Sequence, residues 1–220
     1  MRPGPIRLTR FFHEALRFEL AYLEREILAA ELPTEVEHVQ ERMHTFTRVL
    51  LWHAIGEDEE FFPALEEKVP NVTLPYCFDH EYESSRFHTL DVLADQCVAE
   101  GHPHDLIELK REISIVRHYI VAHMEKEEIH LWPLTEENFS ESEQQELIQG
   151  MMGVVPRSGI ITVVPWVLTR VSDDSVIECL RSLYTLFEDY FSLDLKQIIK
   201  SLVDEERWTQ MIEAIPDLTE

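Results

Sequence analysis

Two histidine–glutamate pairs could carry the chemistry of this chain. His53 and Glu57 are followed by Pro63, and 70 residues later His123 and Glu127 are followed by Pro133. On a helix, residues i and i+4 share a face, so each pair aims an imidazole and a carboxylate at one spot. Nitrogen and oxygen donors paired in this way suit a divalent transition metal, and two copies suit two metals. Buried without a cation, Glu57 and Glu127 would each cost several kcal/mol. Using them as ligands removes that penalty, whereas a plain buried hydrogen-bonded pair at each place is the competing, blander reading. A single histidine on an apolar seam is usually an ordinary core residue. Four at one level favour the metal.

The elements that must position these side chains are helices. The 220 residues include only six Gly, and Pro punctuates long stretches whose apolar residues step by three and four, which is the pattern of an all-α chain. Helices are expected over residues 6–30, 34–68, 76–100 and 104–132. Their seams form an up-down-up-down four-helix bundle. The seams run through His13 in the first, His53, Glu57 and Glu60 in the second, His80 and Glu83 in the third, and His123, Glu127 and His130 in the fourth. His13 and His80 lie early in their helices, and His53 and His123 late. In alternating helices that is the same end, so the four imidazoles should meet in one layer. Phe12-His13-Glu14 also resembles Asp79-His80-Glu81, so two similar hairpins, 1–68 and 75–133, would enclose a site on a pseudo-two-fold axis.

Beyond Pro133 the character changes. All 11 His lie between His13 and His130, and the chain is expected to divide into a metal-binding bundle, 1–135, and a helical extension packed on it, 136–220. Ser140 with Glu143 opens a helix through a capping box. Residues 156–171 are unusually apolar and interrupted by Pro165. They are too short to span a bilayer, so they should pack on the bundle, on a protein partner or on a second copy of the chain. Two or three further helices follow over 173–214.

Composition narrows the function. With Lys+Arg 19 against Asp+Glu 43, the net charge is −24, which disfavours nucleic acid and anionic membrane surfaces as partners. No run of 18 apolar residues suggests a membrane span. The opening Met-Arg-Pro-Gly-Pro leads into an amphipathic pattern rather than a signal-peptide core. Cys77, Cys97 and Cys179 are odd in number without C-x-x-C spacing and read as reduced thiols. Together these point to an intracellular protein, cytoplasmic, or nuclear if it is part of a eukaryotic regulator. No Ser-His-Asp set, P-loop or dinucleotide fingerprint offers another chemistry.

Over about residues 6–135 the sequence resembles the hemerythrin-like, or HHE cation-binding, family. The residues that match are His13, then His53 and Glu57, then His80, then His123 and Glu127, with Phe62-Pro63 and Trp132-Pro133 fitting as well. A narrower resemblance is to the hemerythrin-like domains of plant BRUTUS-type iron-sensing ubiquitin ligases. It rests on His53 to Glu66, Asp79-His80-Glu81, Glu127 to Leu134, Phe139-Ser140, Glu143 to Glu146 and Pro165-Trp166-Val167. No zinc-binding or RING cysteines occur here. The resemblance implies an oxo- or hydroxo-bridged pair of iron ions, with Mn or Zn the lesser choices, and Glu57 and Glu127 as bridging carboxylates. It further implies O₂ or another small ligand at the metals and a role in iron or oxygen binding or sensing. A di-iron oxidase, peroxidase or oxygenase is the alternative, with storage a weaker third. Oxygen-carrying members have a second histidine where this chain has Ser84. Glu83, Glu81 and His88 are the nearest substitutes, Glu83 favoured because it shares the seam of His80. Glu60 and His130, one turn beyond the main set, are further candidates, more naturally supporting residues than ligands. Gly56, beside Glu57, leaves room for a bound small molecule or is simply a surface glycine.

Overall fold

The computed structural model describes residues 4–219, and no strand occurs among the described residues. A 3-10 turn, Pro5–Thr9, leads into α1, Arg10–Ala29. The second rod begins as α2, Glu37–Gly56, passes through a π-helical turn, Glu57–Phe61, and continues as α3, Phe62–Lys68. The third is α4, Leu74–Ala99. The fourth repeats the second: α5, Pro103–Lys126, a π turn, Glu127–Leu131, then α6, Trp132–Asn138. Each rod packs on its two neighbours around a ring, α1 on α2, α2 on α4, α4 on α5 and α5 on α1. This is the up-down-up-down bundle that the seams imply.

Apolar seams hold it together. Leu16, Leu20, Leu23 and Ile27 of α1, Met43 and Phe46 of α2, Leu90 of α4, and Leu109 and Ile113 of α5 are fully buried. Each such side chain is worth roughly 1.5–3 kcal/mol relative to exposure. Gly101 closes α4 at φ +68°, where only glycine is unstrained, and its N–H reaches back to the carbonyl of Gln96.

The π turns have a local cause. Pro63 lacks the N–H that the carbonyl of Glu59 would receive in an α-helix, and its ring presses on that carbonyl. The ladder widens, and the N–H of Phe62 bonds instead to the carbonyl of Glu57, five residues back. Pro133 has the same effect, with the N–H of Trp132 reaching the carbonyl of Glu127. The fourth rod therefore does not end at Trp132 as its proline suggests but runs on to Asn138.

The remaining helices wrap one side of the bundle: α7, Glu141–Gly153; α8, Arg157–Leu168; α9, Asp173–Phe187; α10, Leu193–Leu202; and α11, Glu205–Ala214. The capping box at the start of α7 is present, with Ser140 and Glu143 each bonding the other's backbone N–H. α7 crosses the first π turn. Gly56 makes that crossing close, because a Cβ there would lie 2.9 Å from the carbonyl oxygen of Met151. The glycine is thus neither a surface residue nor room for a ligand. α8 packs on α1, α9 and α10. Ile160, Val163, Val164, Trp166, Val167 and Leu168 are buried there, so the apolar stretch expected to cover the bundle or a second subunit is used within the chain. No single helix among the described residues is long and apolar enough to cross a membrane.

A buried carboxylate ties the two parts. Glu19 of α1, fully buried, accepts two bonds from Arg42 of α2, 2.8 and 2.7 Å, and another from Arg170 just beyond α8.

Candidate metal centre

The four histidines and two glutamates expected to bind metal meet at one end of the bundle, as two sets of four that share both carboxylates. His13, His53, Glu57 and Glu127 form one, and His80, His123, Glu57 and Glu127 the other, with the ligand-type atoms of each set within 4.8 Å of one another. Each carboxylate divides its oxygens between the sets. Glu57 offers Oε1 to His53 Nε2 at 3.5 Å and Oε2 to His80 Nε2 at 3.5 Å. Glu127 offers Oε1 to His123 Nε2 at 3.1 Å and Oε2 to His13 Nε2 at 3.4 Å. All four imidazoles therefore turn Nε2 inward.

Several of these inward atoms have no hydrogen-bond partner: Nε2 of His13 and His53, Oε2 of Glu57 and both oxygens of Glu127 are buried and unpaired. Buried polar groups in folded proteins are almost always satisfied, so orphans converging on one point fit a bound cation. Two nitrogens and two oxygens per set form a mixed donor group suited to a borderline transition metal.

The histidines are oriented from behind. Nδ1 of His13 lies 2.8 Å from Glu128, and Nδ1 of His80 lies 2.9 Å from Asp58. Each of these acids follows a shared glutamate directly in sequence, so one π turn supplies both the inward carboxylate and the outer one that holds a ring on another helix. Arg17 steadies Glu128 at 2.7 Å. The aromatics before the prolines finish the support: Trp132 stacks on His13 and Phe62 on His80, both with centroids 5.3 Å apart. The spacing of acids hinted at these supports, but in two acid-rich turns nothing marked Asp58 and Glu128 from their neighbours.

The sites differ around their outer rims. Near His123, Nδ1 lies 3.5 Å from Asp79 and 3.7 Å from Glu83. Burial, the largest influence on Glu83, pushes its carboxyl up to about 7. It faces the outer nitrogen of His123 and joins neither four-residue set, so the structure does not seat it as a seventh ligand. Ser84, Glu81 and His88 are exposed. Glu60 and His130 are exposed as well. The extra residue in each π turn carries the buried phase from Glu57 to Phe61 and Phe62, and from Glu127 to Leu131 and Trp132, turning the residues once counted on the seam outward. His130 Nδ1 instead lies 3.4 Å from the Tyr76 hydroxyl.

Without a cation the site titrates unusually. Burial opposes charging His80, but Asp58 and Glu57 outweigh it and raise the ring to about 11. Burial likewise opposes charging His123, which Glu127 and Glu83 raise to about 9. Glu127 also resists burial and is held at about 2 by His123 and the other rings. At His53 burial wins and lowers the pKa.

Among curated proteins, three of Arabidopsis thaliana are similar to this chain. The zinc finger protein BRUTUS is 28% identical over 187 residues, 82% of this chain and 15% of that protein. The zinc finger protein BRUTUS-like At1g74770 is 30% identical over 192 residues, 77% of this chain and 15% of that protein. The zinc finger protein BRUTUS-like At1g18910 is 28% identical over 186 residues, with 77% and 15% covered. The chain thus spans about 15% of the length of the relatives it matches. No protein-family profile matches the chain, nor does any solved structure. Over the matched segment the chain is a homologue of the BRUTUS-type proteins, which fits a hemerythrin-like domain of the BRUTUS type.

Proposed function

We propose that this chain is an iron-binding, sensing module built around a dinuclear non-haem centre. His13 and His53 would hold one ion, His80 and His123 the other, and Glu57 and Glu127 would bridge both. The observation that carries this is the division of oxygens: each glutamate turns one toward each pair of histidines, which a single ion would not require. Iron suits the mixed imidazole and carboxylate donors, with Mn or Zn the other candidates. The centre would supply a place for O₂ or another small ligand, and its occupancy would control the order of the bundle end. The homology adds support without naming the metal. Whatever the longer relatives act on or assemble with would belong to this chain only if it works in a similar setting, inside the cell.

The test is anaerobic loading with ferrous iron, elemental analysis, and an ultraviolet-visible spectrum before and after O₂. Two iron ions per chain with a spectral change on oxygenation are expected. One ion or none after reconstitution overturns the dinuclear reading.

One observation favours an enzyme as the second reading. An oxidase, peroxidase or oxygenase needs room for substrate beside the metals, and an apolar cavity borders His53. Multiple turnovers with an added reductant or organic substrate would move the assignment there.

A further inference from the structure

An apolar cavity of about 70 Å³ lies between the bundle and the C-terminal helices. Phe12, Trp52 and His53 wall it on the bundle side, and Met151, Met152 and Val163 on the other. We propose that it is a binding site for the aliphatic end of a neutral or cationic amphiphile, seated against the His53 ring. A water needs only about 10–15 Å³, and an apolar space of about 150 Å³ holds benzene. This cavity therefore accommodates roughly three or four carbon atoms, with the rest of a chain leading to its mouth.

The walls argue against water as the occupant. The polar side chains on them are few. The Thr9 and Ser182 hydroxyls are already committed to the carbonyls of Ile6 and Glu178, at 2.7 and 2.8 Å, and the Nε2 of His53 faces the metal site instead. Water there would lack the two to four partners it needs. Met151 and Met152 are flexible and polarisable, so they can close around chains of differing shape.

The mouth sets the charge of the head group. Leu186 and Phe187 are also walls of an adjoining polar cavity of about 400 Å³, lined by Gln149, Thr185, Glu188 and Asp189. Glu188 and Asp189 are exposed, and the chain carries a net charge of −24. A carboxylate or phosphate head would be repelled, while an amine or hydroxyl would not. A chain lying in the cavity would touch the His53 ring, which Phe12 already stacks against with centroids 6.0 Å apart. Occupancy would thereby restrict the ring at its outer face.

The test is run on the chain both metal-free and metal-loaded, because segment 53–63 is expected to loosen without metal, and metal content measured on the same samples keeps a failure of binding distinct from a failure of the metal assignment. Titration calorimetry with n-hexylamine and 1-hexanol should show saturable binding, with hexanoate at least about tenfold weaker. Val163→Phe fills the cavity from α8 and should weaken hexylamine binding by about tenfold or more. The paired surface change Glu188→Lys and Asp189→Lys leaves the packing alone and should reverse the preference toward hexanoate. Absence of saturable binding by both hexylamine and hexanol overturns the proposal. So does a hexanoate affinity equal to that of hexylamine and unmoved by the charge reversal, or entry of pressurised xenon alone.

Discussion

At the scale of single residues, the centre rests on four imidazole nitrogens and four carboxylate oxygens turned toward one another. Replacing His53 or His123 by Ala removes one nitrogen from a four-residue set and should sharply lower bound metal in elemental analysis. Ala at the exposed His38 or His118, or at His44, should not, since all three lie outside the sets. Asp58→Asn and Glu128→Gln keep every inward atom but loosen the outer hold on His80 and His13. Each should weaken metal binding by about 10–100-fold, read by competition with a chelator. The acid side of the same chemistry is directional. His80 at about 11 and His123 at about 9 stabilise the metal-free fold fully below about pH 6.5, the unfolded histidine value, and that stability is lost as pH rises through 9 and 11. Glu127, at about 2, stabilises it above its unfolded value of about 4.3, and that is lost as pH falls toward 2. The thermal midpoint of the metal-free protein should therefore peak at roughly pH 5 to 6.5. A midpoint that climbs between pH 7 and 9.5 would contradict these raised values. Imidazole binds metal only when neutral, so loading at pH 7 should release protons, read from heats in buffers of different ionisation enthalpy.

At the scale of elements, the four rods were legible in the sequence and their two π turns were not. Steps of three and four placed Leu16, Leu20, Met43, Phe46, Leu90 and Leu109 on inner faces, where the structure buries them. The same counting carried the seam from Glu57 to Glu60 and from Glu127 to His130, and there it failed. Period alone does not reveal a widened turn; the prolines six residues after each glutamate were its only sign. The gathering of the six ligand-type residues at one end followed from their early and late positions. The cavity beside His53 was hidden because its walls come from helices more than a hundred residues apart. Two further outcomes belong at this scale. Glu19→Gln weakens a buried acid that two arginines surround, and should cost about 3–5 kcal/mol in urea unfolding. Segments 53–63 and 123–133 should show slower hydrogen exchange when metal is bound, because ligand bonds there act as folding energy. Equal protection with and without metal would argue against control of order by occupancy and shift weight toward the enzyme.

At the scale of the whole molecule, the pseudo-symmetric bundle is wrapped on one side only. α7 crosses the first π turn, whereas among the described residues no helix crosses the second as closely. His53 therefore borders the extension and its apolar cavity, while His123 across the centre faces Asp79, Glu83 and Tyr76. Two chemically matched halves are thus given unlike surroundings by the C-terminal helices, whose apolar character was plain in the sequence but whose side of attachment was not.

Each π turn is also one residue of slack in an otherwise gapless rod. Pro63→Ala would return the N–H that the carbonyl of Glu59 lacks and remove the ring that holds the turn open, letting the second rod tighten into a regular α-helix. Everything beyond Glu57 would then rotate by about 100°, one residue's advance. Phe62 would swing away from His80. Helical content would hardly change, so circular dichroism would report an intact protein while metal retention fell. One proline can silence this centre without touching a ligand.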